Sequence, residues 1–188
     1  MRIADRAARL AAQISLLLAL ASTSAFLVAR GYVDNDEQLY NNGRITEVVP
    51  QGTSVTVGDV EWKLDSLEAY TRLVGTEGKE ITSLTKPAGS MIVMAKVTVT
   101  PRDGVRMEEN GFTCDAKLHD DRGNVWENQQ VYTDFPLPTY CTDDEFPFTR
   151  NKSRQVAQLF VVPASAVPHL NGIMVGDLSE RRIALLTP

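Results

Sequence analysis

Cys114 and Cys141 are the residues of this chain whose chemistry is easiest to predict from their type and spacing. A redox-active pair needs closely spaced thiols with a lowered pKa, as in C-x-x-C, whereas 26 residues separate these two. In an exported domain the spacing favours a structural disulfide, and two free thiols are the remaining alternative. The bridge would close a loop of about 28 residues and hold residues 128–148 against a sheet.

Recognisable catalytic motifs do not occur in this sequence. It has no G-x-S-x-G, S-x-x-K or H-E-x-x-H motif and no phosphate-binding glycine loop. Its two histidines, His119 and His169, are expected to be solvated or locally hydrogen-bonded. We therefore expect a protein that is not an enzyme and that carries no cofactor.

Two clusters of carboxylates could bind a divalent cation, which prefers several converging oxygen ligands. The run from Asp120 to Asn124 has the residues of a hairpin turn, so its carboxylates are expected to serve the turn. The second cluster comes soon after Cys141, so the disulfide would hold it in place. Its residues, a weak candidate cation site, are Asp143, Asp144 and Glu145.

The loop over residues 132–148 combines aromatic residues with prolines, and the disulfide would pin it. Such a patch is pre-organised and favours protein binding. In the alternative, the loop folds back and covers one end of the domain. The candidate partner-binding residues are Tyr132, Phe135, Pro138, Tyr140 and Phe146.

Composition limits the class of protein. The chain has 188 residues, of which 43% are hydrophobic and 23% are charged, which argues against general disorder and against a protein with many membrane spans. The formal net charge of −5 argues against nucleic acid as the main partner.

An uncharged, largely apolar run over residues 10–29 predicts a membrane segment, because twenty helical residues span about 30 Å. Arg2, Arg6 and Arg9 precede it and predict a cytoplasmic N-terminus. The predicted divisions are a basic N-terminus (1–9), a transmembrane anchor or signal segment (10–30), a polar tether (31–45) and an extracytoplasmic domain (46–188). A cleaved secretory signal and a buried helix are the alternatives.

From Gly31 onward the chain carries 15 Lys and Arg against 23 Asp and Glu, a net charge of −8.

Alternating apolar and polar residues after position 50 predict strands that are buried on one face. In the clearest strand, residues 91–100, Val93, Ala95, Val97 and Val99 share one face. Helical patterning is nearly absent after residue 30, apart from one possible turn between Pro163 and Pro168. We predict an all-β fold, an immunoglobulin-like antiparallel β-sandwich of seven to nine strands, with a Greek-key barrel as the alternative.

Several strand motifs resemble a known family of domains. They are Val57-Gly58 with Trp62, Ile92-Val93, the run from Leu118 to Trp126, and the run from Leu159 to Pro163. These resemble the telokin-like, immunoglobulin-fold domains of unknown function on secreted or membrane-anchored Gram-positive proteins, and the whole chain resembles uncharacterised single-span proteins of high-GC Gram-positive bacteria. The sequence departs from that pattern at Thr100-Pro101 and in its cysteine pair. The resemblance implies the fold and the location and supplies no catalytic residues.

Together these features predict a non-catalytic, membrane-anchored interaction module outside the cytoplasm. It would contact the membrane through its N-terminal helix and would bind a protein partner in the bacterial envelope. The alternatives are a domain secreted after signal cleavage, and a small-ligand or divalent-cation binding domain on the cell surface.

Overall fold

A computed structural model describes residues 13–27, 45–107, 111–131, 135–142, 147–177 and 182–188. The chain divides into two units, Met1–Gln38 and Leu39–Pro188. The predicted tether lies outside the described residues apart from Ile45.

In the first unit, residues 13–27 form a helix, α1, within the predicted segment 10–30. Its polar side chains bond back to the helix: Ser22 Oγ donates to the carbonyl of Leu18 at 2.7 Å, and Thr23 Oγ1 donates to that of Ala19 at 2.8 Å. Among the described residues, no helix combines the length and the apolar character needed to cross a bilayer.

The second unit is a β-sandwich, which confirms the predicted all-β class and the range of seven to nine strands. Its described residues form nine strands: β1 Glu47–Val49, β2 Ser54–Val57, β3 Val60–Tyr70, β4 Ser90–Pro101, β5 Lys117–Asp120, β6 Val125–Glu127, β7 Arg154–Pro163, β8 Leu170–Asp177 and β9 Arg182–Leu186. A short 3-10 helix, Ala164–His169, joins β7 to β8 at the predicted helical turn.

The nine strands form two sheets. One has five strands in the order β1-β9-β8-β5-β6, and the other has four in the order β2-β3-β4-β7. The expectation of purely antiparallel pairing is wrong for one pair, because β1 runs parallel to β9. A parallel pair needs a long crossover connection, and here nearly the whole domain lies between its two strands.

The β1–β9 pair is short and densely bonded. The backbone amide of Thr46 donates to the carbonyl of Ile183 at 2.9 Å, and the amide of Ile183 donates to Thr46 Oγ1 at 3.0 Å. Arg182 Nη2 lies 2.6 Å from Glu47 Oε2, and the amide of Thr187 donates to the carbonyl of Val49 at 2.9 Å. A hydroxyl and an ion pair thus reinforce a pair that spans three residues of β1.

The core lies between the two sheets. On β4, the predicted face of Val93, Ala95, Val97 and Val99 is fully buried. The five-stranded sheet packs against this face with apolar side chains from β5 and β8, including Leu118 and Ile173. The four-stranded sheet also contributes Trp62 from β3 and Phe160 from β7. Side chains of this type stabilise a fold by about 1.5–3 kcal/mol each when fully buried.

The predicted strand that contains Cys114 begins later than expected. Residues 112–116 alternate between buried and exposed, as a strand does, but β5 starts only at Lys117. The amide of Phe112 donates instead to the carbonyl of Cys141, and the carbonyl of Cys114 accepts from Gln158 Nε2 at 3.2 Å. The alternation therefore predicted correctly which side chains are buried, although residues 112–116 belong to none of the strands.

We expect Leu118→Ala to lower the free energy of unfolding by about 2–5 kcal/mol, because the side chain is fully buried between the sheets. The matched control is Val48→Ala at the edge strand β1, where the side chain is 62% exposed. That variant should change stability by less than about 0.5 kcal/mol. Urea denaturation measures both values, and equal losses would contradict the assignment of Leu118 to the core.

Candidate functional site

The outer face of the four-stranded sheet is apolar at one end. Ile92 and Met94 of β4 and Ala157 and Leu159 of β7 point away from the sandwich core, yet all four are buried. The other end of the same face is polar and carries Thr98 and its neighbours. The apolar end therefore needs a cover from outside the two sheets.

Residues 71–89, here called the 71–89 loop, form one part of that cover. The loop folds into a small hairpin in which the amide of Gly75 donates to the carbonyl of Lys79 and the amide of Ile81 donates to that of Leu73. Leu73 and Leu84 pack onto the apolar end of the sheet, with Ile81 half-buried beside them. The hairpin thus places its apolar side chains on β4 and β7.

The other part is a segment that we call the strap, consisting of residues 128–131 and 135–142. It bonds along β7, whose other edge pairs with β4. The amide of Gln129 donates to the carbonyl of Leu159 at 2.6 Å, and the amide of Ala157 donates to that of Pro138 at 2.9 Å. The strap therefore covers an otherwise unpaired sheet edge.

Inside the strap, a buried hydroxyl joins its two halves. Thr139 is 1% exposed, and its Oγ1 donates to the carbonyl of Val131 at 3.0 Å and accepts from the amide of Val131 at 3.2 Å. On β7, the amide of Leu159 donates to Asn128 Oδ1 at 3.0 Å. The strap conformation is therefore fixed by hydrogen bonds as well as by apolar packing.

The predicted disulfide is confirmed and ties down the end of the strap. Cys114 and Cys141 are bonded, with Cα atoms 5.7 Å apart and a sequence separation of 27. Both are buried, and the amide of Phe112 donates to the carbonyl of Cys141 at 3.0 Å. The backbones approach so closely that a Cβ atom at Gly111 would lie 1.8 Å from the carbonyl oxygen of Cys141.

Aromatic residues pack next to the disulfide. The rings of Phe112 and Phe148 meet edge to face with centroids 5.7 Å apart. The guanidinium carbon of Arg154 lies 4.7 Å from the centroid of the Phe148 ring. Such ring pairs and cation–π contacts add about 0.5–1.5 kcal/mol each to simple burial.

Where the 71–89 loop and the strap face each other across the sheet, they leave a groove of about 450 Å³. Met94 and the stem of Lys96, from β4, lie in the sheet beneath it. The 71–89 loop contributes its first residues and the strap contributes three consecutive ones: Arg72, Leu73, Val74, Phe135, Pro136 and Leu137. Tyr70 and Gln155 complete the lining. The groove is mainly apolar, with two cations in its lining.

Carboxylates near the groove are already hydrogen-bonded. The hydroxyl of Tyr70 donates to Glu68, which lowers the pKa of Glu68 and raises that of Tyr70. Partial burial alone would raise the pKa of Asp65, but hydrogen bonds from Thr98 and Gln155 outweigh it and lower that pKa. Both carboxylates therefore stay ionised near neutral pH.

The structure places the predicted partner-binding residues in different surroundings. Phe135 lines the groove, whereas Pro138 faces β7 through its carbonyl and Tyr140 is half-buried outside the groove lining. Tyr132 and Phe146 lie outside the described residues. The strap folds back as in the alternative expectation, but it covers the outer face of a sheet rather than one end of the sandwich.

Sequence reasoning did not single out Arg72, Val74, Met94 or Lys96, which line the same groove. One signal was present. On β4, Lys96, Thr98 and Thr100 make the outer face polar, but Ile92 and Met94 continue it with apolar residues. That break in polarity marks where the sheet is covered.

Asp120 serves the β5–β6 turn, as the sequence suggested. It is fully buried, and its carboxylate accepts hydrogen bonds from the amides of Arg122 and Asn124 and from Asn124 Nδ2, at 3.0, 2.7 and 2.8 Å. Burial alone would raise the pKa of Asp120, but these hydrogen bonds outweigh it and lower the pKa.

Divalent-cation binding remains a prediction for the second acidic cluster, because Asp143, Asp144 and Glu145 lie outside the described residues. Within the described ranges, no three His, Cys, Asp or Glu side chains are grouped so that they could hold a metal ion.

Both histidines are hydrogen-bonded, and their partners are distant in sequence. His119 is 8% exposed, and its Nδ1 lies 2.8 Å from Asn171 Oδ1. His169 accepts a hydrogen bond from Arg122 and lies 3.2 Å from the carboxylate of Asp121. These contacts connect the β5–β6 turn to the segment that enters β8.

Comparisons with known proteins find likeness in fold. No protein-family profile and no curated protein matches the sequence. An uncharacterized beta-sandwich protein from Clostridium difficile 630 is similar, with a TM-score of 0.48 and 8% identity over 75% of this chain and 93% of that one. MPT63, a secreted protein from Mycobacterium tuberculosis, is similar with a TM-score of 0.49 and 12% identity over 75% of this chain and 96% of that one. Neither likeness carries an argument about function, and the telokin-like resemblance stays a prediction.

We expect removal of the disulfide in the Cys114→Ala/Cys141→Ala double variant to lower the free energy of unfolding by about 3–4 kcal/mol, because the bridge restricts the unfolded chain. Denaturation with and without a reductant measures the effect. The reductant should lower the midpoint of the wild-type protein and leave that of the double variant unchanged. Labelling of both cysteines by a thiol reagent in the unreduced, denatured protein would contradict the bridge.

We expect Asp120→Asn to destabilise the protein by about 1–3 kcal/mol at about pH 6, because a neutral amide would replace the buried carboxylate that accepts three hydrogen bonds. The pKa of Asp120 in the folded protein is lowered from its ordinary value of 3.8. The ionised carboxylate therefore stabilises the fold at pH values above 3.8. This contribution is lost as the pH falls through the folded-state pKa. The gap between wild type and variant should therefore narrow at about pH 3 in urea denaturation. The exposed Asp115→Asn is the control and should show little change at either pH. A gap of constant size would contradict this role of Asp120.

Proposed function

We propose that this chain is a non-catalytic protein-interaction module of a bacterial cell envelope, with an immunoglobulin-like β-sandwich outside the cytoplasm. The observation that carries the proposal is the groove between the 71–89 loop and the strap. It is a mainly apolar concavity on the outer face of a sheet, and both of its walls are held in place by the fold.

The fixed strap favours binding by a pre-organised surface. Its Cys141 end is covalently tied, and its edge is hydrogen-bonded to β7. A partner that contacts Phe135 or Pro136 would therefore not have to order a loose loop, which removes about 0.5–1.5 kcal/mol of cost for each side chain already held.

Two features support a location outside the cytoplasm. A buried disulfide is typical of proteins that fold in an oxidising compartment. The uncharged run at residues 10–29, preceded by three arginines, supports a membrane segment with its N-terminus inside. We propose that this segment anchors the protein, and cleavage to a secreted form is the alternative.

The groove supports binding rather than catalysis. Nucleophilic catalysis needs a nucleophile beside a base. The described lining has no Ser, Thr, Cys or His, and its titratable groups are Tyr70, Arg72 and Lys96. The pKa of Tyr70 is raised by its hydrogen bond to Glu68, which makes the phenol a weaker acid.

A small-ligand site is the second candidate, and the volume of the groove favours it. About 450 Å³ lies within the range of small-molecule sites. The divalent-cation version of this alternative depends on Asp143, Asp144 and Glu145 and stays a prediction.

A photo-crosslinking amino acid at Pro136, which is exposed on the groove wall, should capture a protein partner in intact cells of the native host. The same amino acid at Gln51, exposed in the β1–β2 turn outside the groove, is the control. We expect one dominant, light-dependent adduct from the Pro136 position and none of that size from the Gln51 position.

Adducts of equal yield at both positions would indicate random collision and would count against the groove. A complete lack of protein adducts at Pro136, with the full chain present at its normal level, would overturn the protein-interaction proposal and favour the small-ligand alternative.

A further inference from the structure

We propose that the groove binds a protein segment that presents an apolar side chain next to a carboxylate. This inference rests on the proposed function and names the chemistry of the partner. It follows from the apolar surface, the charge and the open form of the groove.

The apolar part of the argument starts from Val74. Among the described residues of the sandwich, the exposed large hydrophobic side chains are Val48, on the edge strand β1, and Val74, which is 44% exposed and lines the groove. Phe135 and Leu137 face Val74 from the other wall and are half-buried. An apolar side chain placed between these walls would remove surface from water on both sides.

The charge of the groove is opposite to that of the domain around it. Its described lining contains Arg72 and Lys96 and no carboxylate, although the chain from Gly31 onward has a net charge of −8. Arg72 makes no ion pair with another described residue. The carboxylate that acts on Lys96 is Glu68, which already accepts the hydrogen bond from Tyr70. Two cations beside an apolar wall therefore select an anionic group on the occupant.

The form of the groove favours a protein segment over a small molecule. Small-molecule sites bury most of the ligand surface, typically about 70–90%. This groove is open to solvent along the outer face of the sheet, between two walls that each rise from one side. A segment of a larger protein can lie in such a groove, because its remaining surface is covered by the rest of the partner.

A phage-displayed library of random peptides, selected on the purified full chain, tests the inference. We expect the enriched sequences to place Asp or Glu within one or two positions of Leu, Ile, Phe or Val. Selection on the charge-reversed variant Arg72→Glu/Lys96→Glu should enrich Lys and Arg at those positions instead. The milder variant Arg72→Gln/Lys96→Gln keeps the test valid if charge reversal disturbs folding, and it should lose the acidic preference.

The best wild-type peptide is then synthesised, and its affinity is measured by fluorescence anisotropy. Charge reversal at Arg72 and Lys96 should weaken binding by at least about tenfold. The matched control is Arg106→Glu/Lys152→Glu, which makes the same change in net charge at two exposed positions outside the groove lining. It should change the affinity by less than about twofold, since distant charges are screened within about 8 Å at physiological salt.

Three outcomes would overturn the inference: no enrichment, enrichment without acidic residues, or the same enriched sequences on the wild-type and charge-reversed proteins. Myristate, an apolar chain with a carboxylate, is the competing probe. Displacement of the peptide by myristate at comparable affinity would assign the groove to an amphipathic small molecule.

Failure of this inference and failure of the proposed function are distinguishable in cells. If the adduct at Pro136 persists when Arg72 and Lys96 are both replaced by Glu, the proposed protein interaction is supported, but the inference that the partner presents a carboxylate is wrong. If the wild-type chain gives no adduct at Pro136, the proposed function itself falls.

Discussion

The strands β4 and β7 are apolar on both faces at one end, and this constraint determines much of the remaining structure. The inner face packs against the five-stranded sheet, whereas the outer face carries Ile92, Met94, Ala157 and Leu159. Burial of apolar surface contributes about 25 cal/mol per Å², so a sandwich of two layers would leave this end exposed at considerable cost. The 71–89 loop and the strap supply a third layer. The groove is the place where that third layer is incomplete.

The strap is held by contacts along the edge of β7 and by a contact in the core behind that strand. Along β7 it satisfies backbone groups that an edge strand would otherwise leave to solvent or to another chain. Behind β7, Gln158 is fully buried, and its Nε2 donates to the carbonyl of Cys114 while its Oε1 has no partner among the described residues. Gln158 therefore connects the disulfide segment to β7 from within the core.

Local patterns of the sequence were sufficient for the elements in which burial alternates along one strand. The inner face of β4 followed from such a pattern, and the β5–β6 hairpin followed from its turn residues. The disulfide followed from the number and spacing of the cysteines. Contacts between distant segments were not accessible in this way. Arg72 lies in a polar loop and Phe135 lies 63 positions later, so nothing local indicates that they share a groove. The parallel pairing of β1 with β9 was missed for the same reason, because it joins the first and the last strand. Around Cys114 the opposite holds: the alternation correctly predicted which side chains are buried, but it wrongly predicted that the segment is a strand.

The parallel β1–β9 pair also has a mechanical consequence. A pulling force applied along β1 through the chain ahead of Ile45 would load its bonds to β9 together, in shear, instead of opening them one after another. The Glu47–Arg182 ion pair and the Thr46 hydroxyl lie in that load path. The resistance of the domain to such a force would therefore depend on the rate at which the β1–β9 pair opens rather than on the equilibrium stability of the sandwich.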